Sequence, residues 1–378
     1  MELTHDVLKG GLCSIGQHPL TLQSTYLELN LPEKGLSSVE VLRNFPNLMY
    51  VNLNDNEVTD IGALEAIPAL TQLTVRNNKL EGRCLDYETS RCDESNPSSS
   101  GHTASGSMMV SVDASGNALC SLEGLDARHP FLEFLLLGRN RIPSIQSLRG
   151  LRFLKVLDLS NNDLEGGLDG IEECASLQEL NVSGNRITSL DQLPKLGRLA
   201  VLNVAANRII SLAPLADCPM LQNVNARDNM IEFTRQAELL VGLKWLQTLA
   251  LEGNPLSFKP FYRQRVIFRL QSLGTLDKTS VGAEEKIRAC NLYAAEVGGD
   301  LQTRENIFRQ YFPEEPFVLR TPAFTDDEID LQPDEVRRGM TDEALEARQA
   351  ELGRFMRQEA HGLATSMIET MTSPVKQH

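Results

Sequence analysis

Residues 154–167 read LKVLDLSNNDLEGG, and this stretch decides the fold. Its leucines, Leu154, Leu157, Leu159 and Leu164, are 3, 2 and 5 positions apart, and Asn162 lies among them. Neither the helical period of 3.6 residues nor the strand period of 2 accounts for this spacing over its whole length. A mixed spacing of this kind is expected where a stretch belongs to a longer repeat.

The stretch recurs as nine copies of the pattern L-x-x-L-x-L-x-x-N-x-L, which start at residues 48, 70, 109, 132, 154, 177, 199, 221 and 246. Their asparagines are Asn56, Asn78, Asn117, Asn140, Asn162, Asn185, Asn207, Asn229 and Asn254. Successive asparagines are 22 or 23 residues apart, except for one spacing of 39 and a last one of 25. A degenerate copy precedes them at 26–36. Agreement over this many copies indicates a leucine-rich repeat.

Each part of the repeat has a physical role. The L-x-L pair belongs to a short strand whose alternate side chains point inward. The asparagine is expected to hydrogen-bond the turned backbone from inside the coil, where unpaired polar groups are costly. The second half of each copy suits a short helix or helical turn, and neighbouring copies must stack to bury their apolar sides. The predicted fold class is therefore α/β: a curved solenoid with a parallel sheet on its concave face and helices or helical turns on its convex face, plus a C-terminal helical tail.

The pattern divides the chain into an N-terminal cap segment, the solenoid with its C-terminal cap, and an acidic helical or extended tail, at residues 1–25, 26–281 and 282–378 respectively. In the C-terminal cap, Tyr262, Val266, Leu270 and Leu273 have the spacing of one helical face. We expect this face to cover the last turn of the solenoid, which would otherwise expose apolar side chains.

Two segments fall outside the repeat. Residues 83–107 are rich in serine, glycine and polar residues, which predicts a flexible insertion whose role stays open. Residues 283–297 have a helical pattern, and residues 341–374 predict an amphipathic helix that begins near Thr341. This tail helix has no domain of its own to pack against, so it docks either on the solenoid or on a partner.

Composition limits the class of partner. The chain has 378 residues, with 51 acidic and 36 basic side chains, a net charge of −15 and a pI near 5.0. This balance disfavours nucleic acid and acidic membranes, because phosphate binding needs clustered lysine and arginine. The start of the sequence lacks a secretion signal, and no apolar run is long enough to span a membrane. We therefore expect a cytoplasmic protein with reduced cysteines.

The sequence does not predict an enzyme. It contains no phosphate-binding glycine loop, no set of histidines and cysteines with metal-ligand spacing, and no nucleophile beside a base. Three residues that look reactive, His129, Cys174 and Cys218, all lie three positions before a repeat start. Since leucine or isoleucine fills this position in other copies, we interpret them as packing residues. No cofactor and no metal is expected.

The repeat and its cap resemble one group of leucine-rich-repeat proteins. The cap carries Asn254-Pro255-Leu256, a Tyr262-Arg263 pair and Leu276-Asp277, which recur in that group. The group is the subclass with 22-residue repeats and a C-terminal leucine-rich-repeat cap. It includes the protein phosphatase 1 regulatory subunit, outer-arm dynein light chain 1, the spliceosomal A-prime protein, and ciliary and flagellar repeat proteins.

The resemblance implies a non-catalytic scaffold that binds protein partners. A long solenoid with an acidic tail is most similar to cytoskeletal or axonemal scaffolds of cilia and flagella. The alternatives are a regulatory subunit of a protein phosphatase 1-type enzyme and, less favoured, an A-prime-like protein. Residues 265–268, RVIF, resemble a docking motif for protein phosphatase 1, but that motif binds in an extended form and these residues are predicted to be helical.

The outward strand positions, two and four residues after each repeat start, define the candidate binding surface. On neighbouring repeats they give an apolar patch with an acidic rim: Phe134, Leu136, Val156, Asp158, Glu179 and Val201. Exposed apolar clusters with a polar rim are typical of partner sites. We hypothesise that a protein partner binds here and that the chain is a monomer or part of a larger complex.

Overall fold

The computed structural model describes residues 3–17, 24–84, 108–123, 125, 129–259, 262–292 and 309. The chain divides into two compact units. Unit 1 holds residues 1–207 and 217–221, and unit 2 holds residues 208–216 and 222–378. Residues 85–107 of the insertion predicted at 83–107 and the tail helix predicted at 341–374 lie outside the described residues, so the predictions made for them stay predictions.

Unit 1 is built on short strands. They are β1 (Leu12–Gln17), β2 (Ser24–Asn30), β3 (Tyr50–Asn52), β4 (Gln72–Thr74), β5 (Glu81–Arg83), β6 (Ser111–Asp113), β7 (Ala118–Ser121), β8 (Phe134–Leu136), β9 (Val156–Asp158), β10 (Glu165–Gly166), β11 (Glu179–Asn181), β12 (Arg186–Ile187) and β13 (Val201–Asn203). A helix, α1 (His5–Gly11), precedes them. The main sheet has the order β1-β2-β3-β4-β6-β8-β9-β11-β13.

The main sheet of unit 1 follows the repeat. Neighbouring strands from β2 to β13 pair in parallel. Strand β1 pairs with β2 in the antiparallel direction. In each three-residue strand of the main sheet the central residue faces the core, as Leu135, Leu157 and Leu180 do. Strands β5 and β7 pair in parallel in a separate two-stranded sheet, and so do β10 and β12. The predicted parallel sheet and α/β class are confirmed.

Tight 3-10 turns occupy the second half of most repeats. They lie at Glu40–Asn44, Gly62–Ala66, Gln146–Leu148, Ile171–Glu173, Leu193–Lys195, Ala213–Asp217, Thr234–Leu240 and Pro255–Phe258. A repeat of about 22 residues leaves too little chain after its strand for several α-helical turns, and a 3-10 turn needs only three or four residues. The helical turns expected on this side are therefore 3-10 rather than α-helical.

The asparagine of each repeat is hydrogen-bonded on both sides of its amide, and it is buried in every copy except that of Asn117, which is half-buried. In unit 1, Asn162 Nδ2 donates to the carbonyls of Leu137 and Leu159, each at 3.0 Å. Its Oδ1 accepts from the backbone N–H of Ile142 at 3.0 Å. Asn185 makes the same contacts one repeat later, with Leu159, Val182 and Leu164. Each asparagine thus joins its own turn to the preceding one, which confirms the predicted role.

The residue before each asparagine has a left-handed backbone. Its φ is positive in every copy, at Asp55, Asn77, Gly116, Arg139, Asn161, Gly184, Ala206, Asp228 and Gly253. Glycine, asparagine and aspartate adopt this conformation with the least strain. At Gly184 the space is limiting as well, because a Cβ would lie 2.6 Å from Asn161 Oδ1. This turn brings the asparagine inward directly after the strand.

The column three positions before each repeat start lies in the core. His129, Cys174 and Cys218 are buried there, as Leu151 and Leu196 are. Burial raises the pKa of the Cys174 thiol to about 12 and that of Cys218 to about 11. A buried neutral thiol packs as a small apolar group. The prediction that these residues occupy packing positions is confirmed.

The described part of unit 2 contains four strands and two α-helices, besides its 3-10 turns. The strands are β14 (Asn223–Asn225), β15 (Thr248–Ala250), β16 (Thr275–Leu276) and β17 (Thr279–Ser280). Strands β14, β15 and β16 pair in parallel, and β17 turns back antiparallel to β16. The helices are α2 (Tyr262–Arg269) and α3 (Ala283–Leu292). The helix predicted over 283–297 is confirmed for its described part.

Helix α2 buries the predicted apolar set, with one correction. Tyr262 and Val266 lie on the helix and are buried. Leu270 and Leu273 are buried as well, but the helix ends at Arg269, so the prediction that all four share a helical face was wrong for these two. Leu270 N still donates to the Val266 carbonyl, and the following 3-10-type bond from Leu273 N to Leu270 O turns the chain toward β16.

A polar cluster fixes the cap. The Tyr262 hydroxyl donates to Asp277 Oδ2 at 2.8 Å, and Asp277 Oδ1 accepts from the backbone N–H of Leu251 at 2.7 Å. Burial and the Asp277 carboxylate raise the pKa of Tyr262, so its hydroxyl remains a donor. Arg263 binds Glu285 on α3 through Nε and Nη2, at 2.5 and 2.9 Å. The Tyr262-Arg263 pair and Asp277, noted in the sequence, therefore close this end of unit 2.

The asparagine contacts predict a large loss of stability on a small substitution. Asn162→Ala leaves the buried Ile142 N–H without its acceptor and removes one of two amide donors from each of the Leu137 and Leu159 carbonyls, so we expect a loss of about 2–3 kcal/mol. Urea unfolding followed by circular dichroism measures it, with Asp163→Ala as the exposed control. An Asn162→Ala midpoint equal to that of the control would show that the amide contacts contribute little.

The cap predicts a second loss of stability, in unit 2. Val266→Ala removes two methyl groups from a fully buried site, and we expect it to cost about 2–3 kcal/mol. Gln264→Ala, on the partly exposed side of the same helix, is expected to cost under about 0.5 kcal/mol. Thermal unfolding of both variants tests this, and equal melting temperatures would contradict a stabilising cap.

Candidate protein-binding surface

The six residues of the predicted patch lie on four neighbouring strands of unit 1, β8, β9, β11 and β13. The parallel register pairs Phe134 with Val156, Val156 with Glu179, and Glu179 with Val201. These residues form one row across the sheet. A second row begins with Leu136 opposite Asp158. Since paired strands lie about 4.8 Å apart, each row is a continuous surface.

Phe134 rests on a complete apolar core. Its side chain is 38% exposed, whereas Leu132, Leu135 and Leu137 beneath and beside it are fully buried. Leu136 and Val156 are half-buried, and so is Val201. The structure thus brings the predicted residues together with the outward orientation that the register required. Partner binding by this surface stays a prediction.

The acidic rim has two distinct members. Glu179 is exposed, and it lies between Val156 and Val201 in the row. Asp158 is half-buried, and its Oδ1 accepts from the backbone N–H of Ser160 at 2.8 Å. Asp158 therefore holds the turn that ends β9, in addition to carrying charge on the surface. Sequence reasoning missed this role.

The turn-holding role recurs along the sheet. The side chains at the same repeat position accept from the backbone N–H two residues later, at Asn52, Asp113, Asn181 and Asn203. Aspartate and asparagine commonly form this local bond, so their recurrence at one position was the available sequence signal. On the β6 side of the patch, Asp113 is only 4% exposed and forms an ion pair with Arg76, although its position is an outward one.

An ion pair borders the patch on the side where the strands begin. Lys155 Nζ lies 2.6 Å from a carboxylate oxygen of Glu133, and both side chains are partly exposed. Glu133 directly precedes Phe134 in sequence, and Lys155 directly precedes Val156. The pair spans two repeats, which sequence inspection of single copies does not reveal. Because the two charges of this pair neutralise each other, Asp158 and Glu179 are the charged members of the predicted patch.

The described part of the chain offers no alternative metal site. Among these residues, no group of three or more histidine, cysteine, aspartate and glutamate side chains could hold a metal ion. Likewise, no helix of the described ranges has the length and apolar character needed to cross a bilayer.

The double role of Asp158 predicts that two substitutions differ. Asp158→Asn keeps an acceptor for the Ser160 N–H, as Asn181 and Asn203 do one and two repeats on, so its melting temperature should be nearly unchanged. Asp158→Ala loses that bond and should cost about 1 kcal/mol. Thermal unfolding of both variants distinguishes the roles; equal losses would mean that the carboxylate charge, not the turn, matters for stability.

Comparison with known proteins agrees with this architecture. Models described as leucine-rich repeats match residues 46–65, 153–174 and 173–305. Leucine-rich repeat-containing protein 23 of Bos taurus is 27% identical over 290 residues, which cover 76% of this chain and 78% of that protein. The 187-kDa microtubule-associated protein AIR9 of Arabidopsis thaliana is 46% identical over 68 residues, which are 18% of this chain and 4% of that protein.

A solved structure shares the fold. The crystal structure of a TDR receptor superimposes with a TM-score of 0.52 at 20% identity, over 66% of this chain and 42% of the receptor chain. At this identity the likeness concerns the fold alone. Together with the repeat register and the hydrogen-bonded asparagines, these matches show that the chain contains leucine-rich repeats and is similar to leucine-rich repeat-containing protein 23.

Proposed function

We propose that the protein is a non-catalytic scaffold of the cytoskeleton, of the kind found in the axoneme of cilia and flagella, and that it binds a protein partner through the patch around Phe134. The observation that carries the proposal is an exposed aromatic residue on a rigid strand above a fully buried core. Leu132, Leu135 and Leu137 already fill the core beneath this ring, so we find no role for it in folding.

The energetics of the patch favour a protein partner. A few aromatic anchors commonly supply most of the affinity of an interface, and they work best on surfaces that do not rearrange. Phe134 meets both conditions because its strand is held on both sides by β6 and β9. Leu136 and Val156 extend the apolar area beside it. We infer that a partner side chain packs against these three residues.

The rim indicates the charge of that partner. Asp158 and Glu179 carry negative charge directly beside the apolar residues. Complementary charge increases the association rate and the specificity of binding. The partner is therefore expected to present a lysine or arginine next to its apolar contact. A basic apolar segment also fits the net charge of −15 of this chain.

Two likenesses support a cytoskeletal setting. The repeat and cap resemble those of axonemal leucine-rich-repeat proteins, and a 68-residue stretch is 46% identical to a protein named as microtubule-associated. Binding to a microtubule or to a protein attached to one follows from this likeness as a hypothesis for our chain. It places the basic partner segment on a filament-associated protein.

Regulation of a protein phosphatase 1-type enzyme is the second candidate. Its sequence signal, the RVIF stretch, is weakened by the structure, because Arg265, Val266, Ile267 and Phe268 are all buried in α2. An extended docking mode would require the cap to unfold. Phosphatase binding would then have to use another surface, and no specific observation supports one. An A-prime-like role is disfavoured by the acidic charge balance.

The proposal predicts a separation of binding from stability. Phe134→Ala should leave the melting temperature nearly unchanged and weaken binding by about tenfold or more, since it removes the anchor but no core contact. Retention of the tagged full chain on detergent-extracted cytoskeletons, titrated against concentration, measures the affinity. Tyr50→Ala is the matched control, because Tyr50 is a 42% exposed aromatic residue at the same repeat position outside the patch.

Two outcomes would count against parts of the proposal, and a third experiment tests the tail. A Phe134→Ala protein that unfolds several degrees earlier yet binds normally would show that the patch serves the fold. Retention that does not occur at all, with co-purification of a phosphatase catalytic subunit instead, would favour the second candidate. Deletion of residues 341–378 tests the tail: if binding then increases, the tail competes with the partner for the patch.

A further inference from the structure

We call the predicted patch around Phe134 the concave patch, because the fold class places its strands on the concave face. A second exposed aromatic cluster lies outside it. Phe131 and Phe153 occupy the turns that precede β8 and β9, and they are 47% and 53% exposed. Their ring centroids are 6.2 Å apart with an interplanar angle of 28°, so the rings stack on each other across two repeats. We call Phe131, Phe153 and the adjacent Arg152 the turn cluster.

The fold does not require aromatic residues at this position. Each ring precedes a fully buried leucine, Leu132 or Leu154, which fills the core by itself. The next two repeats place Ser176 and Arg198 at the equivalent position, and their strands keep the same register. Polar residues are therefore compatible with this turn. Two half-exposed rings leave apolar surface in contact with water, which is unfavourable. Burial of that surface against a partner would be favourable.

Arg152 gives the turn cluster its charge. Its side chain is exposed and forms no ion pair with any residue that the structure describes. The equivalent residues of the neighbouring repeats are uncharged, Pro130 and Ala175. The Glu133–Lys155 ion pair, with 2.6 Å between its charged atoms, lies in sequence between the turn cluster and the patch residues Phe134 and Val156. Arg152 directly precedes Phe153, so a cation belongs to the same turn as one of the two rings.

We propose that the turn cluster is a docking surface for an acidic protein segment. Such a segment would place an apolar or aromatic side chain on the rings of Phe131 and Phe153, and a carboxylate against the Arg152 guanidinium. A planar guanidinium can bind a carboxylate through two parallel hydrogen bonds. Stacked rings offer a flat apolar surface at low cost in side-chain entropy.

The preference of the turn cluster is opposite to that of the concave patch. Asp158 and Glu179 favour a basic partner, whereas Arg152 favours an acidic one. The two surfaces consist of different residues: the concave patch lies at outward strand positions, and the turn cluster lies in the turns before the strands. The turn cluster can be tested whether or not the partner of the concave patch is known.

Selection of peptides from a random dodecapeptide phage library on the purified full chain tests the proposal. We expect enriched peptides that combine an aromatic or large aliphatic residue with a neighbouring aspartate or glutamate. Their affinity is then measured by fluorescence anisotropy. The double variant Phe131→Ser/Phe153→Ser, which copies the serine found at position 176, should bind the peptides about tenfold or more weakly. Arg152→Gln should weaken peptide binding about threefold to tenfold and make the affinity less dependent on salt.

The controls separate this surface from others. Ile15→Ser changes a 70% exposed apolar residue at the β1–β2 hairpin and should leave the affinity unchanged, and Phe134→Ala should do the same. Melting temperatures confirm that each variant is folded. The proposal is overturned if enriched peptides lack acidic residues, if they bind the double variant within about twofold of the natural chain, or if no peptide depends on the turn cluster. Peptides that depend on Phe134 instead would overturn it while supporting the concave patch.

Discussion

The interior amide of the asparagine is the interaction on which the rest of the structure depends. The backbone of each repeat must turn sharply after only three strand residues, and that turn leaves carbonyl and N–H groups inside an apolar core. The Asn162 side chain bonds three of these groups. Its amide nitrogen donates to one carbonyl in its own turn and one in the preceding turn, and its amide oxygen accepts from one N–H. Because these bonds join consecutive turns, they also fix how each repeat aligns with the next. The stacking of leucines then follows from that alignment.

Because the register is fixed by inward residues, the residue types at outward positions can vary without disturbing the core. Once the inward positions are filled by Leu132, Leu135 and Leu137, the outward positions of the same strand contribute almost nothing to the core. Neighbouring repeats can therefore place phenylalanine, valine and glutamate side by side in one row, as Phe134, Val156 and Glu179 show. The same argument covers the turns before the strands, where phenylalanine, serine and arginine are all compatible with the fold. In such a protein the outward side chains are not needed for core packing, so their chemistry indicates what the surface binds.

The sequence predicted those features that one repeat can specify by itself. The leucine and asparagine positions, the outward direction of Phe134 and the buried cap followed from spacing, because one-dimensional stacking converts a sequence register into a spatial one. Features that depend on contacts between repeats could not be read in this way. The Glu133–Lys155 ion pair and the stacking of Phe131 on Phe153 join residues 22 positions apart, and side-chain directions decide whether they meet. The end of α2 at Arg269 was misjudged because apolar spacing continues through a non-helical turn, where Leu273 is still buried.

The charges of the two surfaces constrain how a scaffold of this kind could be used. The apolar patch on β8 and β9 is bordered by Asp158 and Glu179, and the aromatic pair in the preceding turns is bordered by Arg152. The Glu133–Lys155 pair lies between them and adds no net charge. A segment with a single sign of charge would gain at one surface and lose at the other. Occupation of both therefore requires either two partners or one partner whose basic and acidic segments are separated by a few residues, which is a stricter requirement than apolar contact alone.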